Sequence, residues 1–595
     1  MWGQTVQLRR PVSGFASTHP YYAHLDGIRA LAVLSVLLFH LDHSILPGGF
    51  VGVDVFFVLS GYLITGVILR EIEQGRFSVA RFYQRRIARI FPAFAVVIAA
   101  TYVASLYLYS AQDIASVGTS GAAAALSLIN MKLIFQGDYF TISQDAQPLL
   151  HYWSLSVEEQ FYFLYPLALL WLTKRRILPP LLGAAAVSFA CAIVLTYLAK
   201  DIAFYTLPTR AWELLGGGAL AVWHARREAT RRPGLAELGL VGLLLSFLFL
   251  GPEHFPGPTA AFPVLATLAI LEGSRAEGSR VQRYLAWRPA VAIGLLSYSL
   301  YLWHWPIFSF IDYRLFAASA EVRLALKVVL TVVLSVASYF LIERPARRYF
   351  NRQGMVRAAL LFFVTGVLAL SAVGYYLRES HYLGADRGDI AAGGIEAVSG
   401  HDRDVLLLGD SQAYMYALQL AELAREEEFN LRVAGMPAGN LLRGEEETVW
   451  SDVASMVARE QPDVIVFAYA WGIKIGEHPE RLAQAMRHLT SHTGKIVLVQ
   501  QMPLLSDDVT RQSIREGLRP PFVEPEDRGS KRRSGAAVVD TYASQATIVD
   551  VFPIFDGPDG TRVIGEDGRF LYQDAGHLSD SGAALTMPLF EEAIR

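Results

Sequence analysis

The chain has 595 residues, of which 53% are hydrophobic and only 18% are charged, against about 25% charged residues in soluble proteins. This composition excludes a single soluble globule and indicates that a large part of the chain lies in lipid. The single cysteine, Cys191, excludes an intramolecular disulfide and a cysteine-based zinc site. The net charge of −3 conceals two unlike halves, because residues 1–377 carry a balance of +11 and the remainder carries −14.

Eleven apolar stretches between Ile28 and Leu377 are candidate transmembrane helices, since about 20 apolar residues cross the hydrocarbon layer. They cover residues 28–44, 50–69, 90–109, 155–172, 179–199, 209–224, 234–251, 260–273, 289–310, 323–342 and 358–377. Residues 28–350 are predicted to form the membrane domain, and the eleventh helix, within 351–377, is predicted to link it to a second domain.

The distribution of Lys and Arg predicts the orientation of these helices, because cytoplasmic connections retain basic residues. With the N-terminal segment 1–27 in the cytoplasm, the inner connections contain 24 Lys and Arg. The outer connections contain only Lys132, Lys200 and Arg314. We therefore expect a multi-pass protein in the lipid bilayer whose residues after Leu377 lie outside the cytoplasm.

The first predicted helix contains two ionisable residues, Arg29 and His40, separated by eleven residues, or about three turns. Both side chains are therefore expected on one face, with His40 about 16 Å deeper than Arg29. Such a helix favours an anionic cofactor held by Arg29, with its reactive end near His40. The alternative is that Arg29 extends to the membrane surface and His40 only packs.

Two arginines precede the third span at a spacing that suits phosphate binding. Arg86 and Arg89 lie three residues apart and are expected on one helix face near the inner surface. Ordinary positive-inside anchoring is the alternative interpretation.

The outer halves of the fourth and ninth spans supply further candidates. Glu158 and Glu159 are predicted to enter the membrane from outside, where a carboxylate orients a histidine base. Tyr301, His304 and Trp305 are predicted either to line a substrate path or to form an interfacial aromatic belt.

Six segments together resemble the acyltransferase-3 family of membrane O-acyltransferases, in the form that carries a fused SGNH domain. They read LDGIRALAVLSVLLFH (25–40), GVDVFFVLSGYLI (52–64), RRIARIFPA (85–93), WSLSVEEQFYFLYP (153–166), SYSLYLWHWP (297–306) and IERPARR (342–348). The resemblance implies ten helices plus a linking eleventh, in a bacterial inner membrane. It also implies transfer of acetyl groups from cytoplasmic acetyl-CoA to extracytoplasmic glycans.

The resemblance assigns roles to the matching residues. The CoA phosphates would meet Arg29, Arg86 and Arg89, and the thioester would lie near His40. His40 would act as general base or transient acyl acceptor, supported by Glu158 or Glu159. The sequence leaves both pairs of alternatives open.

The pattern changes in the acidic half, where short apolar runs alternate with helical stretches and predict a parallel α/β sheet over 401–595. The predicted strands are 405–408, 431–434, 464–468, 496–500 and 546–551. Residues 378–400, rich in Gly and Ala, are predicted as an extracytoplasmic linker.

The first of these strands ends in Gly-Asp410-Ser411, and Asp574-Ala-Gly-His577 follows the last. A serine at a strand-to-helix turn suits a nucleophile, with His577 as its base and Asp574 orienting the imidazole. The pairing resembles the SGNH/GDSL hydrolase family.

The SGNH resemblance is incomplete at the oxyanion hole. The family's oxyanion glycine corresponds to Gly439 or to its rival Gly435, and the asparagine expected after the third strand is replaced by FAYAWG. Asn440 is the nearby substitute.

The sequence therefore predicts an acetyl-CoA-dependent O-acetyltransferase of a surface polysaccharide such as O-antigen or lipopolysaccharide, with the SGNH domain completing transfer. One alternative is a polytopic transporter with a fused esterase, and a second is an acyltransferase whose SGNH domain only binds the acceptor. No metal and no nucleic-acid partner is expected.

Overall fold

The structure is a computed structural model that describes residues 22–136, 139, 146–172, 177–228, 232–275, 279–437, 441–442, 447–475 and 478–595. The chain divides into two compact units. The first contains the described parts of Met1–Ser78 and Glu158–Tyr301, and the second those of Val79–Val157 and Leu302–Arg595.

The regular elements of the apolar half are all helices within the described residues. Its helices are α1 Ala23–Leu41, α2 Gly52–Glu73, α3 Val79–Leu108, α4 Ala111–Ala125, α5 Ile129–Leu133, α6 Tyr152–Leu172, α7 Leu178–Leu198, α8 Lys200–Tyr205, α9 Leu207–Ala225, α10 Leu235–Phe249, α11 Ala261–Gly273, α12 Arg280–Leu285, α13 Arg288–Arg314, α14 Ala320–Ser338, α15 Arg344–Phe350 and α16 Val356–His381. A π-helical turn, Tyr339–Glu343, joins α14 to α15, and 3-10 turns cover Gly49–Val51 and Pro258–Ala260.

Each of the eleven predicted spans coincides with one of these helices, so their helical character is confirmed. Within the described ranges, seven helices are long and apolar enough to cross a membrane. The helix count in the membrane and the inside–outside assignment stay predictions.

The predicted outer connection 110–154 contains an unexpected helix, α4, which packs against α3 and α16. A Cβ added to Gly118 of α4 would lie 2.5 Å from the carbonyl oxygen of Gly374, so the two backbones touch at glycines. Tyr102 of α3 donates a hydrogen bond to the Leu370 carbonyl (3.1 Å) in the same contact. The helix lacks the large apolar residues that mark a span, and small residues instead permit close packing.

Lys132, predicted to lie in that outer connection, fixes the turn after α4. Its ammonium donates to the hydroxyls of Thr119 (3.0 Å) and Ser120 (2.7 Å) and to the Ser116 carbonyl (3.4 Å). The lysine therefore ties α5 back onto α4.

The acidic half contains the remaining elements. Its helices are α17 Arg387–Ala392, α18 Ser411–Tyr414, α19 Ala417–Glu426, α20 Glu447–Glu460, α21 Trp471–Lys474, α22 Pro479–Leu489, α23 Arg511–Glu516, α24 Glu526–Asp540, α25 Phe552–Phe555 and α26 Asp580–Ile594. Its strands are β1 Ile395–Val398, β2 Asp404–Gly409, β3 Asn430–Gly435, β4 Val464–Ala468, β5 Lys495–Val499, β6 Thr547–Val549, β7 Asp556–Gly557, β8 Gly560–Thr561, β9 Tyr572–Asp574 and β10 His577–Leu578.

The five predicted strands are confirmed as β2 to β6, which form a parallel sheet in the order β3-β2-β4-β5-β6. Strand β2 is apolar without alternation because helices cover both faces of the sheet. Val405 and Leu407 enter one buried cluster, and Leu406 and Leu408 enter the other.

The segment 378–400 differs from the linker that was predicted. It holds the end of α16, then α17, and then β1, which pairs antiparallel with the edge of β3. Strand β1 has only four residues, too few for a period-2 pattern to stand out from a Gly- and Ala-rich background.

Candidate active site

Ser411 lies where β2 ends and the chain turns sharply into α18. Gly409 has a φ of +149°, and a Cβ there would lie 1.8 Å from the carbonyl oxygen of Ala468, so only glycine fits. Asp410 then caps the helix by accepting a hydrogen bond from the Gln412 N–H (2.9 Å). Because the strand order reverses around β2, this turn opens at the switch point of the sheet, where α/β domains bind ligands.

His577 and Asp574 form a hydrogen-bonded pair. The Nδ1–H of His577 donates to both carboxylate oxygens of Asp574, at 2.8 and 3.0 Å. Burial alone would raise the pKa of Asp574, but the His577 hydrogen bond and charge, with the Gly576 and His577 backbone bonds, lower it below its ordinary value. With Nδ1 engaged, Nε2 is the ring nitrogen that can accept a proton.

Two contacts bring the serine turn and the histidine loop to the same edge of the sheet. The Gln412 side chain donates to the Gly576 carbonyl (2.8 Å), and the Leu578 N–H donates to the sulfur of Met415 (3.3 Å). The two contacts therefore join the turn that carries Ser411 to the loop that carries His577 and Asp574.

The oxyanion-hole candidates are described only in part. Gly439 and Asn440 lie outside the described residues. Gly435 ends β3, in register with Gly409, and a Cβ there would lie 3.0 Å from the Tyr414 nitrogen.

Lys474 was missed by the sequence reasoning and lies beside the nucleophile turn. Its ammonium is 2.9 Å from Oδ2 of Asp410, a side chain with no exposure to solvent. The same oxygen accepts a hydrogen bond from the Ala470 N–H (3.2 Å). Ala470 belongs to the FAYAWG segment, which stands where the family has its asparagine, and here that segment binds Asp410. The sequence signal was a lysine six residues after the end of β4, a strand whose carboxyl end lies beside that of β2.

In the first unit, Arg29 and His40 both lie on α1, as predicted. Arg29 pairs with Asp26 (3.4 Å), and His40 lies in the last turn of the helix. The Arg29 end is tightly packed, because Cβ atoms at Gly27 and Gly294 would lie 2.0 Å and 1.9 Å from backbone oxygens of neighbouring helices.

Both candidate glutamates lie on α6. Glu158 accepts hydrogen bonds from the hydroxyls of Tyr162 (2.6 Å) and of Ser60 on α2. Glu159 is also half-buried. These two bonds fix the orientation of the Glu158 carboxylate.

A buried ionic triad in the first unit was also missed. Arg210 of α9 lies 3.2 Å from Asp54 of α2 and 3.2 Å from Glu213, and none of the three side chains is exposed. The guanidinium also faces the ring of Phe255 at 5.0 Å. Charged residues inside two apolar spans were the signal that could have found it.

In the second unit, Arg86 and Arg89 lie on α3 as predicted. The Arg86 guanidinium faces the Phe82 ring at 5.6 Å. Arg347 of α15, which pairs with Glu343 at 3.3 Å, lies within electrostatic range of Arg89.

The aromatic candidates of α13 are buried, which disfavours an interfacial belt facing lipid. Tyr301, in the first unit, is 6% exposed. In the second unit, His304 is fully buried with its ring 5.4 Å from that of His151, and the Trp305 indole donates to the Gln147 carbonyl (2.8 Å).

Comparison with known proteins identifies the class. Residues 22–344 match the family model described as "Acyltransferase domain", and residues 381–592 match "SGNH domain (fused to AT3 domains)". The first match covers more than half of the chain, so the chain belongs to this acyltransferase family.

Among known members, the chain is similar to the O-acetyltransferase OatA of Staphylococcus aureus strain NCTC 8325, with 32% identity over 349 residues, covering 55% of this chain and 57% of the relative. It is also similar to the peptidoglycan O-acetyltransferase OatA of Listeria monocytogenes, with 31% identity over 350 residues, covering 55% of this chain and 56% of the relative. The chain thus spans a little over half the length of these curated relatives.

Among solved structures, a match is the lipopolysaccharide acetyltransferase periplasmic domain of Salmonella ser. Paratyphi A. The identity is 13%, the TM-score is 0.30, and the match covers 36% of this chain and 90% of that one. The fold assignment of the acidic half rests on its own strand order.

Proposed function

We propose that this chain is a membrane O-acetyltransferase that moves an acetyl group from cytoplasmic acetyl-CoA to a hydroxyl of an extracytoplasmic polysaccharide. The observation that carries the proposal is the joining, in one chain, of a helical acyltransferase domain to a sheet edge that presents Ser411 with the His577–Asp574 pair. The membrane domain supplies the acyl group, and the second domain transfers it to the acceptor hydroxyl.

The second step uses serine chemistry. His577 Nε2 takes the proton of Ser411 while the serine oxygen bonds to the acyl carbon, and the bond from that carbon to the donor breaks as the donor takes the proton. The acceptor hydroxyl then gives its proton to His577 and attacks the acyl-serine. The serine leaves and recovers the proton, so the enzyme is unchanged.

The first step uses the helices of the membrane domain. Arg29, Arg86 and Arg89 would bind the phosphates of acetyl-CoA through their positive charges. His40 acts as general base or as transient acyl acceptor, with Glu158 or Glu159 as the supporting carboxylate.

For the acceptor, we propose a cell-surface polysaccharide of the O-antigen or lipopolysaccharide class. Peptidoglycan is the second candidate, because a relative of this chain carries that substrate in its name.

Mass spectrometry of surface glycans tests the proposal, using cells with the wild-type chain, with His40→Ala, with Ser411→Ala, and without the chain. We expect acetyl groups on one glycan class that disappear with either substitution. Unchanged acetylation in the cells lacking the chain would refute the function, and purified protein that does not bind acetyl-CoA would favour the transporter alternative.

The replacement of the family's asparagine favours one other role for the SGNH domain, that of an acceptor-binding module. That role predicts full acetylation in Ser411→Ala, whereas an acyl-serine step predicts none.

A further inference from the structure

The loop that carries the catalytic pair is held on both sides by the start of α4, a helix of the membrane half. The Gln573 amide, next to Asp574, donates to Oδ1 of Asp113 at 3.3 Å. On the other side, Asp580 accepts a hydrogen bond from the backbone N–H of Ala111. All these residues belong to the second unit, so the contacts are internal to one compact body.

Asp113 is itself immobilised by the end of α13 and by Ser110, the N-cap of its own helix. Its Oδ2 accepts from the hydroxyl of Tyr313 at the end of α13 (2.7 Å) and from that of Ser110 (2.7 Å). The side chain is buried, with 5% exposure for the residue. A carboxylate with two hydroxyl donors on one oxygen has its other oxygen aimed in a fixed direction, and Gln573 takes that oxygen.

A second set of contacts surrounds Tyr313 and the start of α4. The Arg511 guanidinium lies between two rings, 4.0 Å from the centre of Tyr313 and 5.2 Å from that of Phe570. Phe316, which follows α13, packs its ring 5.8 Å from Phe570 and is 2% exposed within the core of the soluble domain. The seat, defined here as Ala111, Asp113, Tyr313 and Phe316, therefore combines polar and apolar contacts.

The catalytic loop depends on such support because it lies outside the main sheet. Strands β9 and β10 pair only with each other, over two or three residues, with an irregular register. A two-stranded ribbon of this length is not stable by itself. The position of His577 is therefore set by the contacts of the loop, including those to α4.

We propose that Asp113 is a positioning residue for acyl transfer, which through Gln573 holds the Asp574–His577 loop in line with Ser411, so that the soluble domain reaches full activity only on this seat. The inference rests on the proposed function. It also gives α4, which the hydropathy pattern did not reveal, a role in catalysis that needs no contact with substrate.

The test uses the full chain in lipid nanodiscs, with hydrolysis of p-nitrophenyl acetate as the readout of the serine site. Asp113→Ala and Gln573→Ala should each lower kcat about 10- to 100-fold with little change in KM, because a displacement of about 1 Å at a reacting group costs up to 100-fold. Asp113→Asn retains one acceptor oxygen and should recover most of the rate. Asp402→Ala and Gln545→Ala, which change exposed residues of the same types, are the matched controls.

Hydrogen exchange of the backbone amides of 573–578 supplies a second readout that does not depend on activity. The proposal expects faster exchange there in Asp113→Ala and Gln573→Ala, with the exchange of β2 and β4 unchanged. The double variant should exchange no faster than the faster of the two single variants, because both substitutions remove the same hydrogen bond. If exchange or kcat stays at the control level in Gln573→Ala, the positioning role is refuted.

The two proposals fail in different ways. If the wild type hydrolyses the ester no faster than Ser411→Ala, the proposed function of the serine site is refuted. If that activity is present but insensitive to Gln573→Ala, only the seat is refuted. Should Asp113→Ala not fold, Gln573→Ala on the soluble side carries the test.

Discussion

Lys474→Met is the substitution whose effect follows most directly from the structure. Asp410 has no solvent exposure, and Lys474 is the cation beside its carboxylate. Methionine keeps most of the length and the apolar contacts of the lysine stem but removes the charge. The variant therefore leaves a buried carboxylate without its neighbouring cation, directly before the nucleophile Ser411.

The magnitude follows from the burial of the pair. Removing one partner of a fully buried ion pair costs about 3–5 kcal/mol. The Lys474 side chain keeps 22% exposure, so water replaces part of the lost interaction and the lower end, about 3 kcal/mol, is expected. Two backbone N–H groups, of Gln412 and Ala470, remain to hold Asp410.

The assay is native-state hydrogen exchange of the β2 and β4 amides in the full chain, which reports the local free energy of opening. Lys531→Met, at an exposed lysine, is the control and should change stability by less than about 0.5 kcal/mol. In the double variant Asp410→Asn/Lys474→Met the buried charge is gone, so much of the loss should be recovered. A single variant as stable as Lys531→Met, or a double variant as unstable as the single, would refute the reasoning.

Three further substitutions have expected outcomes. Asp574→Asn should lower kcat for ester hydrolysis by up to about 10⁴-fold, because the asparagine no longer fixes the His577 tautomer. Since the pKa of Asp574 is lowered in the folded chain, its carboxylate stabilises the loop above about pH 4 and ceases to do so as the pH falls through that lowered value, so acid unfolding of Asp574→Asn should lack this dependence. Gly409→Ala should destabilise the soluble domain by about 3 kcal/mol in the same exchange assay, because its Cβ would meet the Ala468 carbonyl. Gly251→Ala is the control, since a Cβ there would have nothing within 4 Å. Arg210→Met should lower the melting temperature of the detergent-solubilised chain strongly, since Asp54 and Glu213 are left buried together, whereas the exposed Arg533→Met should not.

Elements set by local pattern could be predicted from the sequence. The five strands of the parallel sheet are apolar runs buried on both faces, and the apolar spans are helices because a long apolar stretch in lipid has few other ways to satisfy its backbone. The Gly409-Asp410-Ser411 turn and the His577 loop were predictable because each carries its chemistry in a few adjacent residues.

Features set by distant pairing could not be predicted. Asp54 and Arg210 are 156 residues apart, and Gln573 and Asp113 are 460 apart, so no periodicity joins them. Helix α4 was missed for a different reason: its interface is made of small residues such as Gly118, and close packing of backbones leaves no mark in a hydropathy profile.

The uneven distribution of charge has an energetic consequence as well as a topological one. In the acidic half most ion pairs resemble Arg533–Glu526, whose side chains are 55% and 87% exposed, and such pairs contribute about 0–1 kcal/mol. In the membrane half charged residues make up a smaller share of the chain, but the Arg210–Asp54 pair is entirely buried, and removing one partner there costs several kcal/mol. Asp113 is a buried charge of the membrane half that is also hydrogen-bonded to the soluble domain, through Gln573. Its loss should therefore affect the distant serine site more than the loss of an exposed acidic residue outside the catalytic pair, such as Asp402.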